Sequence, residues 1–271
     1  MSIIVGISAY FHDSACCLLR DGVPIAAVEE ERFTRKKHDS SLPKFAFRYC
    51  LQEAEVSICE VDAISYCEDP RLKLERQLWM SLQYLSQDQG VNLWRPATRP
   101  TREICDVLGF ERPVEIYTHH QTHAASSFFY SGCDEAAILT VDGVGEWTTT
   151  AYGLGRGKDL ELFEEVHFPD SLGLLFSTIT GYLGFSVNDG EYKVMGLAPY
   201  GQPKYADKLR QLIETHPKGQ YRLNLEYFDF NRTDCMYSER LPELFGQPPR
   251  AGETGLCGDG RNFPWPSRRK H

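Results

Sequence analysis

Three short apolar runs open the chain, Ile3 to Ser8, Ala15 to Arg20 and Ile25 to Glu29, with Asp21-Gly22 as a hairpin turn between the second and third. They read as a three-strand meander. The same pattern returns later: Ala136 to Asp142 is a buried strand, a turn carrying Gly143 and Gly145 follows, then Thr148 to Leu154, Gly155 to Gly157, and Leu160 to Phe168. Each copy places a polar turn after its first strand, His12-Asp13 in one and Asp142-Gly143-Val144-Gly145-Glu146 in the other. A meander that occurs twice predicts two related lobes with two strand-end turns across one cleft. Between the copies, Ser40 or Ser41 can cap a helix with Pro43 in its first turn, continued by Ala46, Tyr49, Cys50 and Ala54 at helical spacing. Ala63 to Cys67 reads as a strand, Leu72 to Leu85 as an amphipathic helix, and Val114 to Thr118 as a strand feeding a helix from about Gln121. Alternating strands and helices make the class α/β.

The repeat divides the 271 residues into a first lobe, 1–132, and a partial second lobe, 133–249. Residues 250–271 differ in kind: Gly252, Gly255, Gly258, Gly260, Pro264 and Pro266 interrupt a stretch with no apolar periodicity that ends Arg268-Arg269-Lys270. A disordered tail is expected there. Apolar residues at 42% and charged residues at 25% exclude wholesale disorder and fibres. A formal charge of −9 disfavours nucleic acid as a partner. The longest apolar runs, such as Ala136 to Val141, fall far short of the roughly 20 residues of a membrane span, so a cytoplasmic protein without membrane contact is expected. Nine scattered cysteines without a C-x-x-C pair fit reduced thiols, and adjacent Cys16 and Cys17 would face opposite sides of a strand.

Four stretches carry chemistry. In Thr118-His119-His120-Gln121-Thr122-His123, His119 and His123 are four apart, so on a helix their imidazoles share one face and can share a metal, whereas His120 points elsewhere. Asp142, at a strand end beside a glycine turn, is a third ligand candidate; two imidazoles and a carboxylate with open positions suit Fe(II) first, then Zn(II) or Mn(II). A buried or capping histidine cluster satisfies the same spacing. His12, in the turn between two strands, is placed to take a proton from a hydroxyl, or only to bond its own loop. Arg32, Arg35, Lys36 and Lys37 follow the third strand, where cations can clamp a phosphate or carbamoyl oxygen; a solvated charge run is the plainer reading. In Asn188 to Gly201, glycines would let backbone approach a ligand and Lys193 adds a point charge, but no phosphate-loop spacing occurs.

In order, Gly6-Ile-Ser…His12-Asp-x-Ala15, Glu30-Glu-Arg32-Phe…Arg35-x-Lys37-His38, His119-His-x-x-His123-Ala, Val141-Asp-Gly-x-Gly145-Glu146 and Glu191-x-Lys193-Val-Met-Gly196-Leu-Ala-Pro-Tyr200-Gly201 resemble the NodU/CmcH family of O-carbamoyltransferases across residues 2 to 249. The resemblance implies a duplicated actin/hexokinase-like (ribonuclease H-like) domain, with the second lobe incomplete here. It also implies consumption of ATP and carbamoyl phosphate through carbamoyl adenylate, made in that family by a YrdC-like domain, and transfer to a hydroxyl of a sugar or antibiotic. By resemblance His119, His123 and Asp142 are metal ligands and His12 activates the acceptor. Arg32, Lys37, Gly143, Gly145, Glu191 and Lys193 then border the substrate and nucleotide cleft. Full members are about twice as long, so this chain is expected to be a truncated form, inactive alone, that works with a separately encoded second half or self-associates. A catalytically inactive nucleotide-binding module and a sugar-kinase-like phosphotransferase are the alternative functions.

Overall fold

Alternate residues of β1 (Ile3–Ser8) are buried, Ile3, Val5 and Ile7, while Gly6 and Ser8 face the other side, the period of a strand covered on one face by a core. β2 (Ala15–Arg20) pairs antiparallel with β1 and β3 (Val23–Glu29) antiparallel with β2. A single turn, α1 (Glu31–Thr34), leads to α2 (Lys44–Glu53); β4 (Ala63–Tyr66), α3 (Pro70–Gln83), α4 (Arg99–Leu108), β5 (Glu115–Ile116) and α5 (His119–Phe128) follow. In this computed structural model, which describes residues 1–83, 96–230 and 235–250, the strands form a sheet of order β3-β2-β1-β4-β5, with β4 parallel to β1 and β5 parallel to β4. The chain divides into two units, Met1–Ser126 with Gly145–Trp147, and Ser127–Val144 with Thr148 onward.

In the first unit Val5, Leu18, Ile64 and Tyr66 of the sheet pack with Ala46, Phe47 and Cys50 of α2 and Ile104 of α4. Cys16 joins this core and Cys17 the opposite face, as a strand requires. That face is built of small residues: Gly6, between Cys17 and Ser65 in register, could not carry a Cβ without approaching Cys17 Sγ to 2.8 Å. A cavity of about 660 Å³ lies over it, lined by Gly6, Ser8, Cys17, Arg32, Cys67 and Thr122 among others.

The second unit begins with the second meander, β6 (Glu135–Val141), β7 (Thr148–Arg156) and β8 (Asp159–His167), an antiparallel sheet in that order. It matches the pairing of β1, β2 and β3, so the meander read twice in the sequence occurs twice in the backbone, and the class is α/β as expected. α6 (Leu172–Tyr182), α7 (Glu191–Leu197), α8 (Ala206–Leu209), β9 (Ile213–Thr215), β10 (Tyr221–Leu223) and α9 (Arg240–Phe245) complete it around Tyr182, Leu212, Leu223, Phe228 and Leu241. Gly173 is required by a close approach: a Cβ there would collide with the carbonyl of Asp142. Among the described residues no helix is long and apolar enough to cross a membrane.

Several element boundaries differ from expectation for identifiable reasons. Neither Ser40 nor Ser41 caps α2: the Ser41 amide and hydroxyl both donate to Asp39, at 3.0 and 2.8 Å, and Pro43 occupies the cap position with no side-chain bond. The cap arrives from a distance, because the buried Glu30 carboxylate accepts the amides of Phe45 (3.1 Å) and Ala46 (2.8 Å). α5 starts at His119, two residues earlier than expected, and β5 is two residues long. The helix expected to reach Leu85 is described to Gln83, and of the expected tail only Arg250, whose amide donates to the Tyr182 carbonyl, lies within the described residues. Replacing Glu30 by alanine leaves the buried Ala46 amide and the part-buried Phe45 amide without this acceptor, so a loss of about 1–3 kcal/mol in urea unfolding is expected. Unchanged stability would show that Glu30 is not the cap of α2.

Candidate active site

The turn after β1 is bonded on both sides. Tyr10 donates its amide to Ser40 O, Ser14 its amide to Asp39 O, and Glu30 its amide to Ser14 O, each at 2.8 Å, so residues 8–15 and 30–40 are joined by main-chain bonds. Within it His12 is half exposed, its ring 4.3 Å from that of Phe11, and Nδ1 lies 2.8 Å from Asp13 Oδ2. The other Asp13 oxygen is 2.8 Å from His38 Nδ1. Burial raises the Asp13 carboxyl, but the bonds from His38 and His12 outweigh it and hold the group below the ordinary carboxylate value. Asp13, Glu31 and His38 each bring a donor atom to within 4.8 Å of the others. Their mutual bonds and the bordering Arg32 and Lys36 make this a hydrogen-bonded hub. Arg32, expected to meet a phosphate, pairs with Glu29 at 3.0 Å while remaining two-thirds exposed, a geometry from which it can turn to a ligand at small cost.

The second cluster is set on α5. His119 and His123 project from one face with their Nε2 atoms 3.0 Å apart. Two imidazoles bound cis to one ion at about 2.0–2.1 Å place their nitrogens about 2.9 Å apart, so the pair fits a shared divalent ion. His120 is buried and belongs to the packing. What fixes the helix start is Glu146: its buried carboxylate accepts the amides of His119 (3.0 Å) and Asp69 (2.6 Å), and Arg76 donates to the carbonyls of Gly145 and Glu146. Gly145 is needed beside it, since a Cβ there would meet the His119 Cβ at 2.9 Å.

In the second unit Asp142 follows β6, its amide donating to Thr149 O at 2.9 Å. Ser171 fixes the adjacent turn, donating its hydroxyl to the Gly143 carbonyl at 2.6 Å and accepting the Leu174 amide at the start of α6. The Asn188 to Gly201 stretch is helical over Glu191–Leu197, not a backbone loop, and the Glu191 carboxylate accepts from Ser177 Oγ (3.0 Å) and the Asn188 amide (3.0 Å), bracing its own loop. Lys193 lies two residues on, in the same helix.

A model of the carbamoyltransferase N-terminus matches residues 3–254. The chain belongs to the carbamoyltransferase family. It is 45% identical over 271 residues to the uncharacterized protein sll1178 of Synechocystis, covering 94% of this chain and 44% of that one. It is 36% identical to nodulation protein NolNO of Sinorhizobium fredii, covering 81% and 32%. The chain thus spans less than half the length of these relatives. Among solved structures, T. kodakarensis HypF aligns with a TM-score of 0.38 at 16% identity (77% and 25% covered) and Pseudomonas aeruginosa YeaZ with 0.36 at 17% (63% and 68%).

Three side chains that the sequence motifs contain, but to which no role was assigned, organise this carbamoyltransferase chain: Asp13, His38 and Glu146. The adjacency His12-Asp13 was the available signal for the first; no spacing announces the other two, which act across 25 and 27 residues. The acidic groups around the turn set a pH dependence. Burial raises the Asp39 carboxyl, but the Ser41 amide and hydroxyl, Thr34 and Lys36 together hold it below its ordinary 3.8. Glu103, similarly raised by burial, is held below 4.5 by Arg99 and the Tyr10 hydroxyl. Carboxyls lowered in the folded state add stability that is complete above their unfolded values and lost as pH falls through the folded ones. Unfolding free energy should therefore be level at neutral pH and decline below about pH 4. Asp39→Asn should be less stable at neutral pH, with a shallower decline; a parallel decline would contradict this assignment.

Proposed function

We propose that this chain passes a carbamoyl group from carbamoyl adenylate, made from carbamoyl phosphate and ATP, to a hydroxyl of a sugar or other small natural product. The observation that carries the reading is the joined piece of residues 8–15 and 30–40. It combines a histidine with one nitrogen tied and a loop bearing Arg32, Arg35, Lys36 and Lys37 in one hydrogen-bonded body. In the transfer the acceptor oxygen attacks the carbamoyl carbon, its proton goes to His12 Nε2, and the bond from that carbon to the phosphate oxygen breaks to release AMP. Arg32 and Lys37 neutralise the departing phosphate, and the family resemblance adds Lys193 as a further cation for the substrate. His119, His123 and Asp142 would hold one divalent ion, Fe(II) before Zn(II) or Mn(II), which when bound supplies Lewis-acid charge to the phosphate oxygens. Gly143 and Gly145 keep the strand-end turn narrow enough for a nucleotide to approach.

The test supplies the chain with ATP, labelled carbamoyl phosphate, a YrdC-like adenylating domain and a panel of sugars, and follows label in the sugar together with metal content. Label transfer should appear and fall about 10²- to 10⁴-fold in His12→Ala. His119→Ala, His123→Ala and Asp142→Ala should each weaken metal binding by at least about 10-fold, with the exposed His167→Ala as the unchanged control. Phosphoryl transfer to sugar without need of carbamoyl phosphate would establish the kinase chemistry instead. Equal metal content in all variants would leave the histidines as packing residues.

A further inference from the structure

Asp13 is bonded by two imidazoles at once, His12 Nδ1 on one oxygen and His38 Nδ1 on the other, both at 2.8 Å. An ionised carboxylate only accepts, so both rings must carry their proton on Nδ1 when neutral. That leaves His12 Nε2 as the ring nitrogen with a lone pair. His38 is the firmer partner: its side chain is 12% exposed against 42% for His12, and its own amide donates to Glu31 Oε2 at 2.9 Å. His38 Nε2 is buried with no hydrogen-bond partner among the described residues, so its contribution lies on the Nδ1 side.

The backbone around this hub is left-handed at several non-glycine positions. Tyr10, Asp13, Arg35 and His38 have φ of 72°, 53°, 59° and 54°, four left-handed non-glycine residues in two loops that bond each other. Such conformations persist where surrounding bonds over-determine them and cluster at sites that need a fixed geometry. Here the αL turn at Asp13 presents its carboxylate to the preceding side chain and to a ring 25 residues away.

We propose that Asp13 and His38 are positioning residues for His12: Asp13 holds the His12 ring in its Nδ1–H tautomer with Nε2 directed to the acceptor, and His38 pins the second oxygen of Asp13 so that the carboxylate cannot rotate away. This rests on the reading of His12 as the base. Neither residue exchanges a proton with substrate. The Arg35 to His38 segment thereby joins the basic loop to the base, so the cations that meet phosphate and the nitrogen that takes the proton are set by one network.

The test is ¹⁵N long-range correlation NMR of the histidine rings at mildly alkaline pH, with His12 and His38 assigned from His12→Gln and His38→Gln. In the wild type both rings should show a protonated Nδ1 and a bare Nε2. Asp13→Ala should return His12 to the Nε2–H form that an exposed neutral histidine prefers, and His38→Gln should give His12 mixed tautomers. If Asp13→Ala does not fold, Asp13→Asn keeps the size and one acceptor oxygen, and at least one of the two rings should lose its Nδ1 proton. A wild-type His12 protonated on Nε2, or both rings unchanged in every Asp13 variant that folds, overturns the proposal. In the carbamoyl-transfer assay Asp13→Asn should lower kcat by about 10- to 100-fold with the acceptor KM little changed. Full activity in His12→Ala would remove the base assignment while leaving the tautomer result to decide the positioning by itself.

Discussion

The buried Glu30 carboxylate is the constraint from which the first unit takes its shape. It directly follows β3, its amide is tied to Ser14 O, and its side chain receives two amides from the start of α2. A carboxylate is costly to bury unless its lone pairs are taken by donors, and here a helix N-terminus supplies them, with favourable dipole sign. One residue therefore joins the meander, the helix that covers it and the loop between them. Residues 31–39 are left as a short bridge whose backbone is tied at both ends to the His12 turn and whose His38 is bonded to Asp13.

Glu146 performs the same operation at the other cluster of this unit. It belongs by sequence to the glycine turn after β6, yet its carboxylate holds the first amide of α5 and the amide of Asp69. The edge-on rings of Trp79 and Trp147, 5.7 Å apart, and the bonds from Arg76 hold the segment in place. Both clusters of candidate residues are thus fixed by an acidic group reached from a distant part of the chain, with the ends of short helices as the docking points.

This pattern explains what the sequence could and could not disclose. The strands of both meanders were legible because apolar alternation with a period of two is a local property, and His119 and His123 were legible because a spacing of four is a property of any helix. The starts of α2 and α5 were not, since Glu30 and Glu146 act in place of a local Ser or Thr cap. Glu191 was singled out by its motif, and the partners its carboxylate engages, Ser177 and the Asn188 amide, are not legible from that spacing. The glycine-rich appearance of residues 188–201 concealed a helix for the same reason, because Gly196 sits inside α7 with open space around it.

The central claim is that the folded first unit presents two separate and differently used histidine clusters, one for metal and one for proton transfer. Anomalous-scattering maps from crystals grown with Fe(II) or Co(II) test it most directly. The account predicts one strong peak at about 2.0–2.1 Å from Nε2 of both His119 and His123, and none at Asp13 and His38, whose nitrogens and oxygens remain bonded to each other. A peak at Asp13, Glu31 and His38, or the absence of one between His119 and His123, would contradict it.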